Sequence, residues 1–250
     1  TLGGGVVVDH LPAGRHKRFD AQVLMSLESR LKGSPADVLY EAALAVGVAP
    51  LRESTARSRL EWADAREGLE GLLKEERLVL LEEGTPSPAS DLLAAARPEW
   101  DTLTAKALET LAGYHASFPL RNGIPREELK SRLKLEGRGF QALLRSLTGA
   151  GRLAFNGNLL ALPGHAIHFE PEQQSRVDLL MRKFKETPFS TPSTKECQDL
   201  VGAEVLGALI ELGELTPVSA DVLFRREDYE TMKARITAAL MKNGRITLAE

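Results

Sequence analysis

Apolar residues recur along this chain at a spacing that switches from helical to alternating and back. The clearest stretch lies in the middle. Leu103, Ala107, Leu108 and Leu111 share one stripe and predict an amphipathic helix over residues 102–115. Residues 118–124 read as a short extended connection. A second helix is expected over 125–133, opened by Pro-Arg-Glu-Glu. A third spans 139–148, with Phe140, Leu143, Leu144 and Leu147 inward, and Gly149-Ala150-Gly151 ends it. Asn156-Gly157-Asn158 then separates two apolar runs, 152–155 and 159–162, which is a strong hairpin signal.

Three helices followed by a β-hairpin make a winged helix-turn-helix, and the cadence repeats on both sides. Downstream, helices are expected at 175–185, 193–200 and 203–212. Ser193 is the N-cap of the second and Glu196 completes a capping box. A wing follows around Ser219-Ala220-Asp221. Upstream the match is looser, with helices at 36–46, 54–60 and 63–75 and a strand at 78–81; Ser34 and Pro35 open the first. A leading helix at 21–31 carries Val23, Leu24, Leu27 and Leu31. The spacing is irregular, so this is a string of related modules and not a solenoid. Residues 229–242 start the pattern again, with Met232, Ile236 and Leu240 on one side; Asn243-Gly244 caps the helix, and 245–250 reads as a strand entering another helix. At the other end Gly3-Gly4-Gly5 runs into Val6-Val7-Val8, a strand entered from a tight turn and expected to close an upstream domain. The expected fold class is mainly α (α+β), built of tandem winged-helix modules. The expected bounds are 1–18 for the end of the upstream domain, 19–99 for the first module with its leading helix, 100–168 for the second and 169–228 for the third. Residues 229–250 would begin a fourth.

Composition narrows the chemistry. The 250 residues are 43% hydrophobic and 27% charged, an ordinary globular balance. No apolar run approaches the roughly 18 residues of a membrane span. Cys197 is the single cysteine, which excludes an internal disulfide framework and fits a reducing cytoplasm. Net charge is -3, but it is unevenly spread. Residues 35–101 hold seven Lys and Arg against fourteen Asp and Glu, while residues 102–168 hold nine against four. Modules with different surfaces are expected from such blocks.

Catalytic signals are missing. The sequence has no Gly-x-x-x-x-Gly-Lys-Ser/Thr, and the Gly3-Gly4-Gly5 triplet precedes a strand where a phosphate loop needs a helix. His165 and His168 have no further His or Cys nearby and read as a solvated turn. Cys197 reads as a half-buried helix position. No catalytic residue, metal ligand or cofactor is assigned to the chain. What remains is basic surface. Arg126, Lys130, Arg132, Lys134 and Arg138 gather on the second helix of the second module and the turn beyond it; Arg126 and Lys130 share one face. Arg225 and Arg226 follow the third wing. Arg126, Lys130, Lys134, Arg138, Arg225 and Arg226 are therefore the candidate nucleic-acid contacts, with a merely solvated face as the alternative. Aromatics make up only 5%, which argues against a base-stacking platform and suits backbone contacts to a duplex or hairpin.

Two strings carry a family resemblance. TLGGGVVVD, followed by RHKR, resembles the end of the last β-barrel domain of the bacterial selenocysteine-specific elongation factor, SelB. SFPLRNGIPREELKSRL resembles the Pro-Leu-Arg-x-Gly-x-x-Arg-Glu-Glu-Leu segment in the second winged helix of that family. The resemblance implies an upstream β-barrel and a translation-factor body that binds GTP with Mg and selenocysteinyl-tRNA. It implies a C-terminal arm that binds a hairpin in selenoprotein mRNA beside the ribosome. The family's main hairpin contacts lie in the fourth module, near an Arg-Lys-Tyr segment and a wing Arg-Arg. Neither is matched here, so no family RNA contact transfers to a numbered residue. The chain is then expected to be a monomeric spacer and partial RNA-binding arm without chemistry of its own, in a GTPase parent. Two rivals stand beside it. One is a DNA-binding regulator of tandem winged helices, for which Arg138, Gln141 and Arg145 are suitable but Glu67, Glu70, Glu204 and Glu211 are not. The other is a protein-binding scaffold, whose binding would not weaken with salt.

Overall fold

The computed structural model describes residues 33–243 apart from Glu136, together with Phe19, Asp20, Val23, Leu24, Leu27 and Glu28. The expected strand at Val6–Val8, most of the expected helix at 21–31 and the segment 245–250 lie outside the described residues. The chain forms two compact units. One comprises Thr1–Thr110 and Glu127–Leu153, the other Leu111–Arg126 and Ala154–Glu250.

The first unit opens with α1 (Pro35–Val46), β1 (Ala49–Pro50), α2 (Leu51–Ser58), α3 (Trp62–Lys74), β2 (Leu78–Leu80) and β3 (Leu93–Ala96). Ser34 caps α1 as its sequence suggests, and the Asp37 side chain reaches back to complete a capping box. Helix α1 packs on α3 through Gly68, where an added Cβ would lie 2.7 Å from the Pro35 carbonyl oxygen. The strands form an antiparallel sheet in the order β1-β3-β2. All four residues of β3 are buried. Their sequence, Leu-Ala-Ala-Ala, carries no β-branched or aromatic signal, and the expected single strand at 78–81 is in fact one arm of this long-looped wing. Leu39, Ala43, Leu51, Leu69, Leu72, Leu78 and Ala94 form the core.

Helix α4 (Arg97–Ser117) follows β3 directly and contributes residues to both units. It starts earlier than its expected bound because Trp100 extends the buried stripe to Trp100, Ala107, Leu111 and Tyr114. The first unit also holds α6 (Gly137–Gly149) and most of α5 (Arg126–Leu133).

In the second unit, β4 (Ile124–Pro125), β5 (Ala154–Asn156) and β6 (Leu159–Ala161) form an antiparallel sheet in the order β4-β6-β5. The hairpin sits where Asn-Gly-Asn predicts it. Gly157, at φ 62°, takes the first of two central positions, the place a type II′ turn gives to glycine. Next come α7 (Pro171–Glu186), α8 (Thr194–Val201), α9 (Ala203–Glu211), β7 (Leu215–Pro217), β8 (Leu223–Arg225) and α10 (Arg226–Asn243). Ser193 and Glu196 form the expected capping box. Just before α8, Ser193 forms an isolated antiparallel bridge with Val222 of the wing. Phe184, Cys197, Val205, Leu209, Leu215 and Leu223 lie in the core, joined by Leu120 and Ile167. On α10, Ile236, Leu240 and Met241 are exposed. The described residues thus repeat the order helix, short extended segment, helix, helix, hairpin three times. The fold is mainly α with small β wings. Among the described residues no helix is long and apolar enough to cross a membrane.

Candidate nucleic-acid interface

Helix α5 begins immediately after Pro125, with Glu127 and Glu128 in its first turn and Lys130 and Arg132 in its last. This order suits the helix dipole and also sets up local ion pairs. Lys130 Nζ lies 3.3 Å from Glu127 and Arg132 donates to Glu128 at 2.6 Å. Lys134 ends the turn in the left-handed region, at φ 53°, and is exposed. Arg126 is half-buried at the start of α5.

Helix α6 is the third helix of its winged helix, the element that ordinarily approaches a nucleic-acid groove. Its Arg138 is engaged within the first unit. The guanidinium donates to both Glu82 oxygens at 3.0 and 2.5 Å, to Asp91 Oδ2 at 2.5 Å and to the Asp91 carbonyl at 2.8 Å. These bonds hold the Glu82 carboxyl below its ordinary range, chiefly through Arg138 and with help from the Leu93 N–H. Arg145, two turns on, points Nη2 at the Leu81 carbonyl at 3.4 Å.

The third wing is similarly self-contained. Arg225 grips Asp228 through Nε at 2.8 Å and Nη2 at 2.9 Å, and only 13% of its side chain is exposed. Arg226 beside it is exposed. The six candidates therefore differ in availability. Lys130, Lys134 and Arg138 share the first unit, with Lys134 on the surface and Arg138 bound to carboxylates. Arg126, Arg225 and Arg226 belong to the second, where Arg225 is bound as well.

A second polar cluster, unread in the sequence, lies within the second unit. Glu211, at the end of α9, accepts from Arg121 Nη1 at 2.5 Å and from the Asn122 N–H at 2.9 Å. Asn122 Nδ2 returns a bond to the Glu211 carbonyl at 3.0 Å, and Asn156 Nδ2 donates to the Asn122 carbonyl at 2.9 Å. Nearby, His115 is 9% exposed and its Nε2 accepts from the Leu162 N–H at 3.1 Å. Its Nδ1 is buried without a partner. His165 stacks on it with ring centroids 3.6 Å apart, and is thus part of a packed pair where a solvated turn was expected. Burial, then the neighbouring His165, lowers the pKa of His115. No group of three or more His, Cys, Asp or Glu among the described residues could hold a metal ion. Cys197 is buried, and its thiol is pushed up to about 11, first by burial and then by Glu196. The pairings of Glu82, Asp91, His115, Asn122 and Glu211 are not legible in the sequence, because their partners lie tens of residues away.

Comparison with known proteins places this geometry. Residues 108–162 match the family model described as the winged helix of elongation factor SelB. A selenocysteine-specific elongation factor from Desulfomicrobium baculatum is 26% identical over 154 residues, which is 57% of this chain and 24% of that relative's length. The matched segment contains the Arg121–Asn122 connection, α5, α6 and the Asn-Gly wing. The chain therefore resembles the C-terminal winged-helix region of selenocysteine-specific elongation factors, and its residues 108–162 are a winged helix of the SelB type.

Proposed function

We propose that this chain is the C-terminal arm of a selenocysteine-specific translation elongation factor. It links a GTP- and tRNA-binding body to the mRNA hairpin that recodes UGA, beside the ribosome in the cytoplasm. The observation that carries the reading is the match of residues 108–162 to the SelB winged helix. In this role the arm does no chemistry; GTP, Mg and selenocysteinyl-tRNA belong to the parent's N-terminal portion. The internal ion pairs support a spacer, because two of the candidate cations, Arg138 and Arg225, are already bound to carboxylates. The same pairs disfavour a DNA-binding regulator. Its reading helix in the second winged helix would be α6, whose Arg138 faces Glu82 and Asp91.

The test is recoding in cells that depend on the parent factor. Removing the segment 1–250 is expected to abolish selenium incorporation at UGA while the remaining body still binds GTP and selenocysteinyl-tRNA. Recoding that persists without the segment would reject the arm.

A further inference from the structure

The loop between β2 and β3 places two carboxylates against Arg138 of α6, the third helix of its winged helix. We infer that this loop is an internal phosphate mimic. Glu82 and Asp91 mask Arg138 on α6, and opening the mask exposes a surface for the phosphate backbone of duplex RNA.

Four observations support the mask. Arg138 and Arg145 are seven residues apart and so share one face of α6. That face belongs to the third helix of a winged helix, the usual groove-facing element. The Glu82 carboxylate takes Nε and Nη2 of Arg138 together, the same bidentate fork that a phosphate takes. The two acids are also fixed from their own side: Glu82 accepts from the Leu93 N–H at 3.1 Å and Asp91 pairs with Arg52 at 3.0 Å. They are preorganised, as a mimic must be. Finally, the mask can be displaced. Half of the Arg138 side chain is exposed, and an open groove of about 700 Å³ runs beside it, lined by Leu81, Glu82, Trp100, Ala142, Arg145 and Ser146. The contact is ionic and borders solvent, so a polyanion can compete for it. Duplex RNA is the preferred partner because the chain has few aromatics for stacking on single strands.

The proposal stands apart from the selenocysteine reading, since it asks only whether α6 takes phosphates. The experiment uses the full chain with Glu82→Gln and Asp91→Asn, whose amides keep the shape and remove the charge. The probe is a fully paired RNA hairpin of arbitrary sequence, followed by fluorescence anisotropy across a salt series. Binding is expected to tighten about tenfold, with a log–log salt slope steeper by about one for the freed Arg138. Adding Arg138→Ala should return both quantities to the wild-type values. Asp91→Asn alone, at an exposed residue, should give a smaller gain in the same direction and guards against misfolding of the double variant. Unchanged affinity in natively folded variants overturns the mask. So does a gain that ignores salt. An equal gain on a DNA duplex of the same length supports the mask and overturns the choice of RNA.

Discussion

At the scale of single residues, close approach and burial decide what each position tolerates. Gly68 on α3 lies against the backbone at the start of α1. A methyl group there would sit 2.7 Å from the Pro35 oxygen, a backbone atom that cannot swing aside. Gly68→Ala is expected to cost about 1–3 kcal/mol by overpacking, despite the better helix propensity of alanine. Gly207, inside α9, meets nothing within 4 Å of an added Cβ. Gly207→Ala should therefore stabilise by about 0.5–1 kcal/mol. Chemical denaturation of both variants checks the pair, and a stabilised Gly68→Ala would refute the close packing. His115 makes a pH prediction. Its folded pKa lies below the ordinary 6.5, so its neutral form is favoured in the fold. The corresponding stability is complete above the unfolded pKa. It drains away as pH falls from there through the lower, folded value. Protonation would also set an N–H of His115 against the Leu162 N–H. His115→Gln should flatten the acid limb of a stability–pH curve relative to wild type; parallel curves would show that the pair carries no linkage.

At the scale of elements, the sequence foretold what depends on neighbours in the chain. The helices followed from apolar stripes, and Ser34 and Ser193 marked two of their starts through local bonds to residues three positions on. The Asn-Gly turn fixed the hairpin. Strands β1, β3 and β4 were harder to read, because two residues or a run of alanines have no period. They exist through pairing with distant partners, as Ala49 does with Ala94. The candidate site divides in the same way. Basic residues on α5 and α6 were visible, but the acids that occupy Arg138 lie 47 and 56 positions away. Glu211 is the parallel case, reaching back about 90 positions to the Arg121–Asn122 connection. Its side chain is 20% exposed while that of Arg121 is 55% exposed, so solvent screens the ion pair but less so the Asn122 bonds. Glu211→Ala is expected to cost about 1–2 kcal/mol. Arg121→Ala, which leaves the backbone bond from Asn122, should cost less. Thermal melts rank the two, and the opposite order would mean that the ion pair dominates.

At the scale of the whole molecule, charge and burial separate what can be a surface from what can only be a core. The net charge of -3 gives no general pull toward nucleic acid, so any contact must come from local basic residues between acidic stretches. Arg138 and Arg225 are already satisfied inside their units, whereas Lys134 and Arg226 are exposed. The core offers a probe of the second unit alone, because the single cysteine lies within it. Cys197 is 0% exposed, and its thiol titrates near 11, so the native thiol is both inaccessible and protonated. Reaction with a thiol reagent at neutral pH must therefore wait for the core of Phe184, Val205 and Leu209 to open. Phe184 is 0% exposed in that core, and Phe184→Ala should cost about 3–5 kcal/mol. If opening is fast relative to labelling, a loss of about 3 kcal/mol raises the open population, and with it the labelling rate, by roughly a hundredfold. Labelling of folded wild type should be slow, should match free cysteine in denaturant, and should accelerate by that factor in Phe184→Ala. Fast labelling of the native wild type would contradict the packing of Cys197 between α8 and its neighbours. An unchanged rate in Phe184→Ala would mean that the thiol is reached by a local route that leaves the core intact.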